Sequence, residues 1–183
     1  MEKSFNFARE LKLKIREVPD WPKKGVNFKD ITTLLEDRDY FKKVIDALAE
    51  PLAGKGIDKV VGIDARGFLA AAPVAYKIGA GLSIVRKKGK LPFKTIGKEY
   101  TLEYASNAIE MHKDTILPGE KVVLIDDLLA TGGTALAACD LIEELGGKII
   151  ETGFIVDLPF LGGCQKLKER GYQVRSLVTY DQE

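Results

Sequence analysis

The sequence predicts an α/β fold, a mostly parallel central sheet flanked by helices, and three observations carry that expectation. Val122-Val123-Leu124-Ile125 is an aliphatic run without polar alternation, the pattern of a strand buried on both faces. From Lys59 onward, strand-like and helix-like stretches alternate, which implies parallel strands joined by right-handed crossovers. At Ile63 to Gly67, and again from Ile125 to Thr134, a strand pattern gives way to a helix through a glycine-bearing turn.

Phe5, Ala8, Leu11 and Ile15 recur at helical spacing and predict an amphipathic N-terminal helix. Val18 to Gly25 holds two prolines and a glycine and reads as a covering loop. Phe41, Val44, Ile45, Leu48 and Leu52 give a second helical stripe, ended by Gly54 and Gly56. Then come a strand at Lys59 to Ile63, a helix at Phe68 to Ile78 and a strand at Leu82 to Arg86. Past an excursion at Lys87 to Lys113 the alternation resumes with strand Lys121 to Ile125, helix Ala135 to Leu145 and strand Ile149 to Val156. A short helix around Gln165 and a strand at Tyr172 to Leu177 close the chain. The excursion is basic at its front, has Gly89 and Gly97 as flexible points and returns through Tyr100 to Tyr104; an insertion of this length inside a compact domain reads as a lid over a site.

With 183 residues, 45% of them hydrophobic, the chain is expected to form one domain, 1–183, with a full core. Lys and Arg number 28 against 27 Asp and Glu, a balance that argues against a general nucleic-acid binder. Cys139 and Cys164 are isolated and read as reduced thiols of a cytoplasmic protein rather than a bridge. The N-terminus does not read as a signal peptide, and no apolar run approaches membrane-spanning length. The single histidine, His112, lies in an alternating stretch and is expected on a strand surface; with no Gly-x-Ser-x-Gly and so few soft ligands, serine-hydrolase and transition-metal chemistry recede.

The motif that carries chemistry runs from Val122 to Ala135. Asp126 and Asp127 stand at the carboxyl end of a buried strand, where open α/β sheets bind ligands. Ala130, Thr131, Gly132, Gly133 and Thr134 then let backbone N–H groups approach an anion, add two hydroxyls and open a helix whose N-terminal dipole favours negative charge. Either piece alone is an ordinary strand end or turn; joined, they describe a site for a phosphorylated ribose, the phosphate in the turn and the sugar hydroxyls on the carboxylates. No Walker-type Gly-x-x-x-x-Gly-Lys-Ser/Thr and no Gly-x-Gly-x-x-Gly is present. The turn Ile63-Asp64-Ala65-Arg66-Gly67 repeats the strand, tight turn and helix, with Arg66 offering a fork that matches pyrophosphate oxygens. From Arg86 to Lys98 the chain carries Arg86, Lys87, Lys88, Lys90, Lys94 and Lys98 with no intervening acid, which beside a phosphate site reads as an anion clamp.

Val122 to Ala135 resembles the phosphoribosyl-pyrophosphate signature of the type I phosphoribosyltransferases, in the form carried by members that use adenine. Gly25 to Ile31, Gly62 to Phe68, Val85 to Pro92 and Leu102 to Ser106 match the same family in order, so the similarity covers nearly the whole chain. The resemblance implies a type I phosphoribosyltransferase-like fold with a small N-terminal hood at about 1–35 and a flexible lid hairpin at about 87–113. It implies transfer of the 5-phosphoribosyl group from phosphoribosyl pyrophosphate to N9 of adenine, giving AMP and pyrophosphate, in purine salvage. The alternatives are another purine base, or a non-catalytic regulator that binds phosphoribosyl pyrophosphate. It further implies Mg²⁺ held mainly by substrate oxygens and water, no nucleic-acid or membrane partner, and a homodimer for which the apolar faces of the N-terminal helices are suitable contacts.

Residue by residue, Ala130 to Thr134 would anchor the 5′-phosphate, and Asp126 and Asp127 the ribose hydroxyls and the magnesium shell. Arg66, Arg86, Lys87 and Lys90 would hold pyrophosphate, helped by the backbone at Ala65 in a turn that carries a non-proline cis peptide in similar enzymes. Many relatives have serine at the position of Ala65, so a hydroxyl contact is missing here while the backbone contacts remain. Asn27 C=O and Lys29 N–H would read the adenine edge, with Phe28 on one ring face and Leu158 on the other. Glu103, followed by Tyr104, matches the position from which the family manages the purine's proton.

Overall fold

The computed structural model describes the backbone of residues 2–102 and 105–182 and the side chains of residues 6–100 and 107–182. The N-terminal part comprises α1 (Glu2–Lys14), β1 (Arg16–Val18), β2 (Phe28–Asp30), α2 (Thr32–Leu35) and α3 (Arg38–Ala49). There follow β3 (Lys59–Ile63), α4 (Gly67–Ile78), β4 (Gly81–Lys87), β5 (Thr95–Leu102) and β6 (Ala105–His112). The chain closes with β7 (Lys121–Leu129), α5 (Gly133–Glu144), β8 (Lys148–Asp157), α6 (Gly163–Glu169) and β9 (Val174–Thr179).

Seven strands form one sheet in the order β5-β6-β4-β3-β7-β8-β9, and β1 pairs with β2 in a separate antiparallel ribbon. β4, β3, β7, β8 and β9 run parallel, while the β5–β6 hairpin adds an antiparallel edge through Arg86↔Glu110 and Lys87↔Ile109. The aliphatic run in β7 explains itself here: Val123 and Ile125 enter one core, Val122 and Leu124 the other. The first core packs α1, α2, α3 and α4 on one sheet face through Leu11, Leu34, Leu48 and Val74; the second packs α5 and α6 on the other through Leu141, Ile142 and Leu167. Each such side chain, removed from water, contributes roughly 1.5–3 kcal/mol. α3 is capped by the Asp37 carboxylate, which accepts from the amides of Asp39 and Tyr40 at 3.0 and 3.2 Å, and α4 stops at Gly79, whose φ of +72° a side chain would disfavour.

Where the structure departs from the sequence expectation, partners decide. β7 runs on past Ile125 to Leu129 because β8 continues beside it, Leu129 pairing with Asp157. β1, β2 and α2 fall in segments too short to show a period. Leu11, Ile15, Val44, Ile45 and Leu48 are buried within the chain, and among the described residues α4 carries an exposed apolar face at Leu69, Ala72 and Tyr76. His112 is half-buried rather than on the surface, edge to face with Phe93 at 6.3 Å. Both cysteines carry free thiols, and burial pushes Cys139 up to about 12. No helix among the described residues is long and apolar enough to cross a membrane.

Candidate active site

The site hangs from the carboxyl ends of β3, β4 and β7, adjacent parallel strands whose following turns meet on one edge of the sheet. After β7 the chain passes through Ala130, Thr131 and Gly132 into α5. Gly132 has φ +80°, a conformation that glycine takes freely. Among the described residues, the amides of Thr131, Gly132, Gly133, Thr134 and Ala135 donate to no acceptor, while the Gly132 carbonyl accepts from Leu136 N at 2.9 Å. Five unspent N–H groups at a helix start make a concavity for an anion.

After β3 the chain turns through Asp64 and Ala65, joined by a cis peptide bond, into α4. The amides of Ala65, Arg66 and Gly67 likewise donate to no acceptor among the described residues. The two turns meet at Gly67, where a Cβ would lie 2.7 Å from Asp126 Oδ1 and 3.0 Å from the Ile125 carbonyl. Only a residue without a side chain lets α4 start against the end of β7.

Asp126 and Asp127 lie between the two turns. Asp127 is buried and paired with Arg66, whose Nε is 2.5 Å from Oδ2. Asp126 accepts from the Asp127 amide at 2.9 Å; burial pushes its carboxyl well up from the usual carboxylate range, and the adjacent Asp127 charge pushes the same way. Arg86, at the end of β4, reaches back to Asp64 with Nε 3.3 Å from Oδ2, and its Nη1 donates to the Lys90 carbonyl at 2.9 Å. Two cations at the site thus rest on two carboxylates.

A cavity of about 360 Å³ is lined by Asp64, Ala65, Arg66, Lys87, Tyr100, Asp126, Asp127 and Thr134, among others. A second, of about 170 Å³, is lined by Leu129 to Ala135 and shares Asp126, Leu128 and Thr134 with the first. One cleft therefore joins both amide rows across the carboxylates. Among the described residues no group of three or more His, Cys, Asp and Glu converges to hold a metal ion. A magnesium ion would fit only with most of its oxygens supplied by substrate and water, Asp126 and Asp127 being the nearby carboxylates.

The remaining candidates fall around this cleft. Lys90 has an exposed side chain outside the cavity walls; its backbone N–H, with that of Leu91, donates to Glu110 at 3.0 Å. Of the other lysines in the basic run, Lys98 is 3.1 Å from Asp140 and Lys88 is 3.9 Å from Glu99. Asn27, Phe28 and Lys29 lie on the hood ribbon, not in the cavity lining. The Asn27 amide and the buried Lys29 ammonium both donate to Glu17 Oε2, at 2.5 and 2.9 Å. Phe28 meets the Trp21 ring edge to face at 4.4 Å, and the Arg66 guanidinium stands 5.1 Å from its ring centre, linking hood to cleft. Leu158 is half-buried against the first core. Glu103 and Tyr104 lie outside the described residues. Sequence reasoning missed Asp64 and Tyr100 as site groups; Asp64 sat inside a matched motif, whereas Tyr100 gave no signal beyond the aromatic itself.

A model of the phosphoribosyl transferase domain matches residues 31–180. An adenine phosphoribosyltransferase of Marinobacter nauticus is 50% identical over 96% of this chain and 97% of its own length. Among solved structures, adenine phosphoribosyltransferase from Thermoanaerobacter pseudethanolicus superposes with a TM-score of 0.90 at 48% identity, covering 94% of this chain and 99% of that one. The Saccharomyces cerevisiae enzyme, complexed with an imino-altritol bisphosphate and adenine, gives 0.88 at 37% identity over 94% and 99%.

Proposed function

The chain belongs to the phosphoribosyl transferase family, and from that premise we propose that it transfers the 5-phosphoribosyl group of phosphoribosyl pyrophosphate to N9 of adenine, yielding AMP and pyrophosphate. The observation that carries this reading is the single cleft with two rows of unspent amides on either side of Asp126 and Asp127. A substrate with a phosphate at one end, a diphosphate at the other and a sugar between them has that spacing of charge.

In this reading the amides of Thr131 to Ala135 and the hydroxyls of Thr131 and Thr134 hold the 5′-phosphate. The amides of Ala65 to Gly67, with Arg66, Arg86, Lys87 and Lys90, hold the pyrophosphate as it leaves. Asp126 and Asp127 accept hydrogen bonds from the ribose hydroxyls and stabilise positive charge as the anomeric bond opens, since that centre passes through an oxocarbenium-like state. Magnesium supplies further charge neutralisation on the diphosphate when bound. Water reaching the anomeric carbon would hydrolyse the substrate, and the β5–β6 hairpin at 87–113 serves as a lid against it, with the hood at 1–35 over the base. Glu103, next to Tyr104 in the sequence, handles the purine's proton.

Adenine presents an amino donor beside an acceptor nitrogen, complementary to Asn27 C=O and Lys29 N–H, and Phe28 and Leu158 bracket its ring. Initial rates with each base, followed as pyrophosphate release, test the assignment. Hypoxanthine or guanine would set a carbonyl against Asn27 C=O, an unpaired contact that costs roughly 1–3 kcal/mol, about ten- to a hundredfold in rate. Turnover of hypoxanthine equal to that of adenine would overturn the base assignment. A second copy of the chain docks on α4, where Leu69 and Tyr76 are 51% and 91% exposed, and the homodimer works in the cytoplasm, where the free thiols of Cys139 and Cys164 persist.

A further inference from the structure

The anion cradle after β7 is shaped from behind by α6, thirty residues further along the chain. Gly163 N donates to the Ala130 carbonyl at 3.0 Å, and Lys166 Nζ donates to the Thr131 carbonyl at 3.1 Å. These two carbonyls belong to the peptide units whose N–H groups are those of Thr131 and Gly132. In a trans peptide the N–H points away from the C=O. A loop whose carbonyls are pinned against α6 must therefore turn its amides to the opposite side, and both of those amides are without an acceptor among the described residues. Leu158 N takes the Leu129 carbonyl at 2.9 Å and Leu136 N the Gly132 carbonyl, so all four consecutive carbonyls from Leu129 to Gly132 are occupied. The ammonium of Lys166 does more than fill an acceptor, because a peptide whose C=O is bonded to a cation has a more strongly donating N–H.

The approach that makes this possible leaves no room for a side chain. A Cβ at Gly163 would fall on the Ala130 carbonyl oxygen and lie 2.7 Å from Gly132 N. From the other side, a Cβ at Gly132 would lie 2.9 Å from Gly163 Cα. Both obstacles are backbone, which cannot swing away as a flexible side chain would.

We propose that Gly163 and Lys166 are positioning residues for the 5′-phosphate: together they hold the Ala130–Gly132 loop with its amides facing the ligand. This rests on the assignment of that loop as the phosphate cradle. Calorimetry with ribose 5-phosphate, pyrophosphate and adenine on Gly163→Ala, Lys166→Met, Lys166→Arg and Thr131→Ala provides the test, with thermal melts alongside. Gly163→Ala is expected to weaken ribose 5-phosphate at least tenfold and Lys166→Met three- to tenfold, with Lys166→Arg restoring most of the loss. Adenine affinity stays within twofold of wild type throughout, and in steady state the loss appears in KM for phosphoribosyl pyrophosphate more than in kcat. If Gly163→Ala does not fold, the Lys166 pair decides. Unchanged ribose 5-phosphate affinity in a folded Gly163→Ala, or in Lys166→Met, overturns the proposal, as does an equal loss for adenine, which would mark a general loosening of the cleft. If Thr131→Ala also leaves ribose 5-phosphate unchanged, the cradle assignment itself is at fault.

Discussion

The turns after β3 and after β7 are built alike and equipped differently. Each leads from a buried strand into a helix and offers a row of amides without an acceptor among the described residues. The β7 turn has no charged side chain: on the proposed assignment, Ala130, Thr131, Gly132, Gly133 and Thr134 hold an anion with backbone and hydroxyls alone. The β3 turn adds Arg66 and lies beside Arg86, and both guanidinium groups already rest on carboxylates, Asp127 and Asp64. A backbone cradle has one geometry and suits a group that stays put from substrate to product. Mobile cations with standby partners suit a group that must be held and then released, because each can return to its carboxylate when the anion departs. On the proposed reaction, the 5′-phosphate is the first kind of group and pyrophosphate the second.

The comparison can be broken at the carboxylates that separate the turns. Asp126→Asn is expected to lower the chemical step by roughly a hundred- to a thousandfold, as loss of one preorganised electrostatic group does. The free protein should respond in the opposite sense. A carboxyl raised by folding binds more protons in the native state than in the unfolded chain, so its contribution to stability falls as pH climbs from the ordinary carboxylate range towards the raised value. Asp126→Asn should therefore raise Tm at neutral pH and flatten that part of the stability profile. A mutant no more stable than wild type at pH 7 would contradict the burial argument.

Next in size is the difference between the two anions. Thr131→Ala and Thr134→Ala should each weaken ribose 5-phosphate by roughly tenfold or more, within the span of hydrogen bonds to charged groups, and leave pyrophosphate unchanged. Equal losses for both ligands would mean that the turns do not divide the substrate. Arg66→Lys reverses the pattern: pyrophosphate is expected to weaken by about tenfold, since an ammonium cannot replace the bidentate fork, while ribose 5-phosphate is retained. The smallest effect sharpens the same contrast. Raising ionic strength from 0.05 to 0.3 M, roughly halving the Debye length, should reduce pyrophosphate affinity by a few-fold more than that of ribose 5-phosphate, because half-exposed cations are screened and backbone dipoles at a helix start much less. Parallel salt slopes would erase the distinction.

The legibility of these features in the sequence follows from how local each one is. The β7 cradle was readable because its glycines, hydroxyls and following helix are contiguous. Its backing was not: Gly163 and Lys166 lie on another element, and only the doublet Gly162-Gly163 hinted at a close approach. The acidic pair was visible, yet its division of labour depends on Arg66, whose direct partner is Asp127, sixty-one residues further along the chain, and not Asp126. The basic run from Arg86 to Lys98 shows the limit of composition, which counts charges and not their neighbours; Lys87 faces the cavity while Lys88 and Lys98 lie beside acids elsewhere. The centre of the parallel sheet was legible, since strands such as β3 and β7, buried on both faces, need no knowledge of their partners, whereas the extra length of β7 comes from β8.

Arg86 has one further consequence. Its guanidinium touches Asp64 in the β3 turn and the Lys90 carbonyl at the root of the hairpin, and the amide of that same Lys90 is tied to Glu110. Burial pushes Glu110 up, but the amides of Leu91 and Lys90 and the Thr95 hydroxyl outweigh it and keep the carboxyl below its ordinary range, so this fastening stays anionic. An anion that draws Arg86 from Asp64 alters the tension on the hairpin's root, and by reciprocity any placement of the hairpin that frees Arg86 raises the affinity of the turn for that anion. Arg86 thus makes the turn and the hairpin one thermodynamic unit, and the Lys87 amide, 3.5 Å from the same Asp64 carboxylate, adds a second and weaker tie.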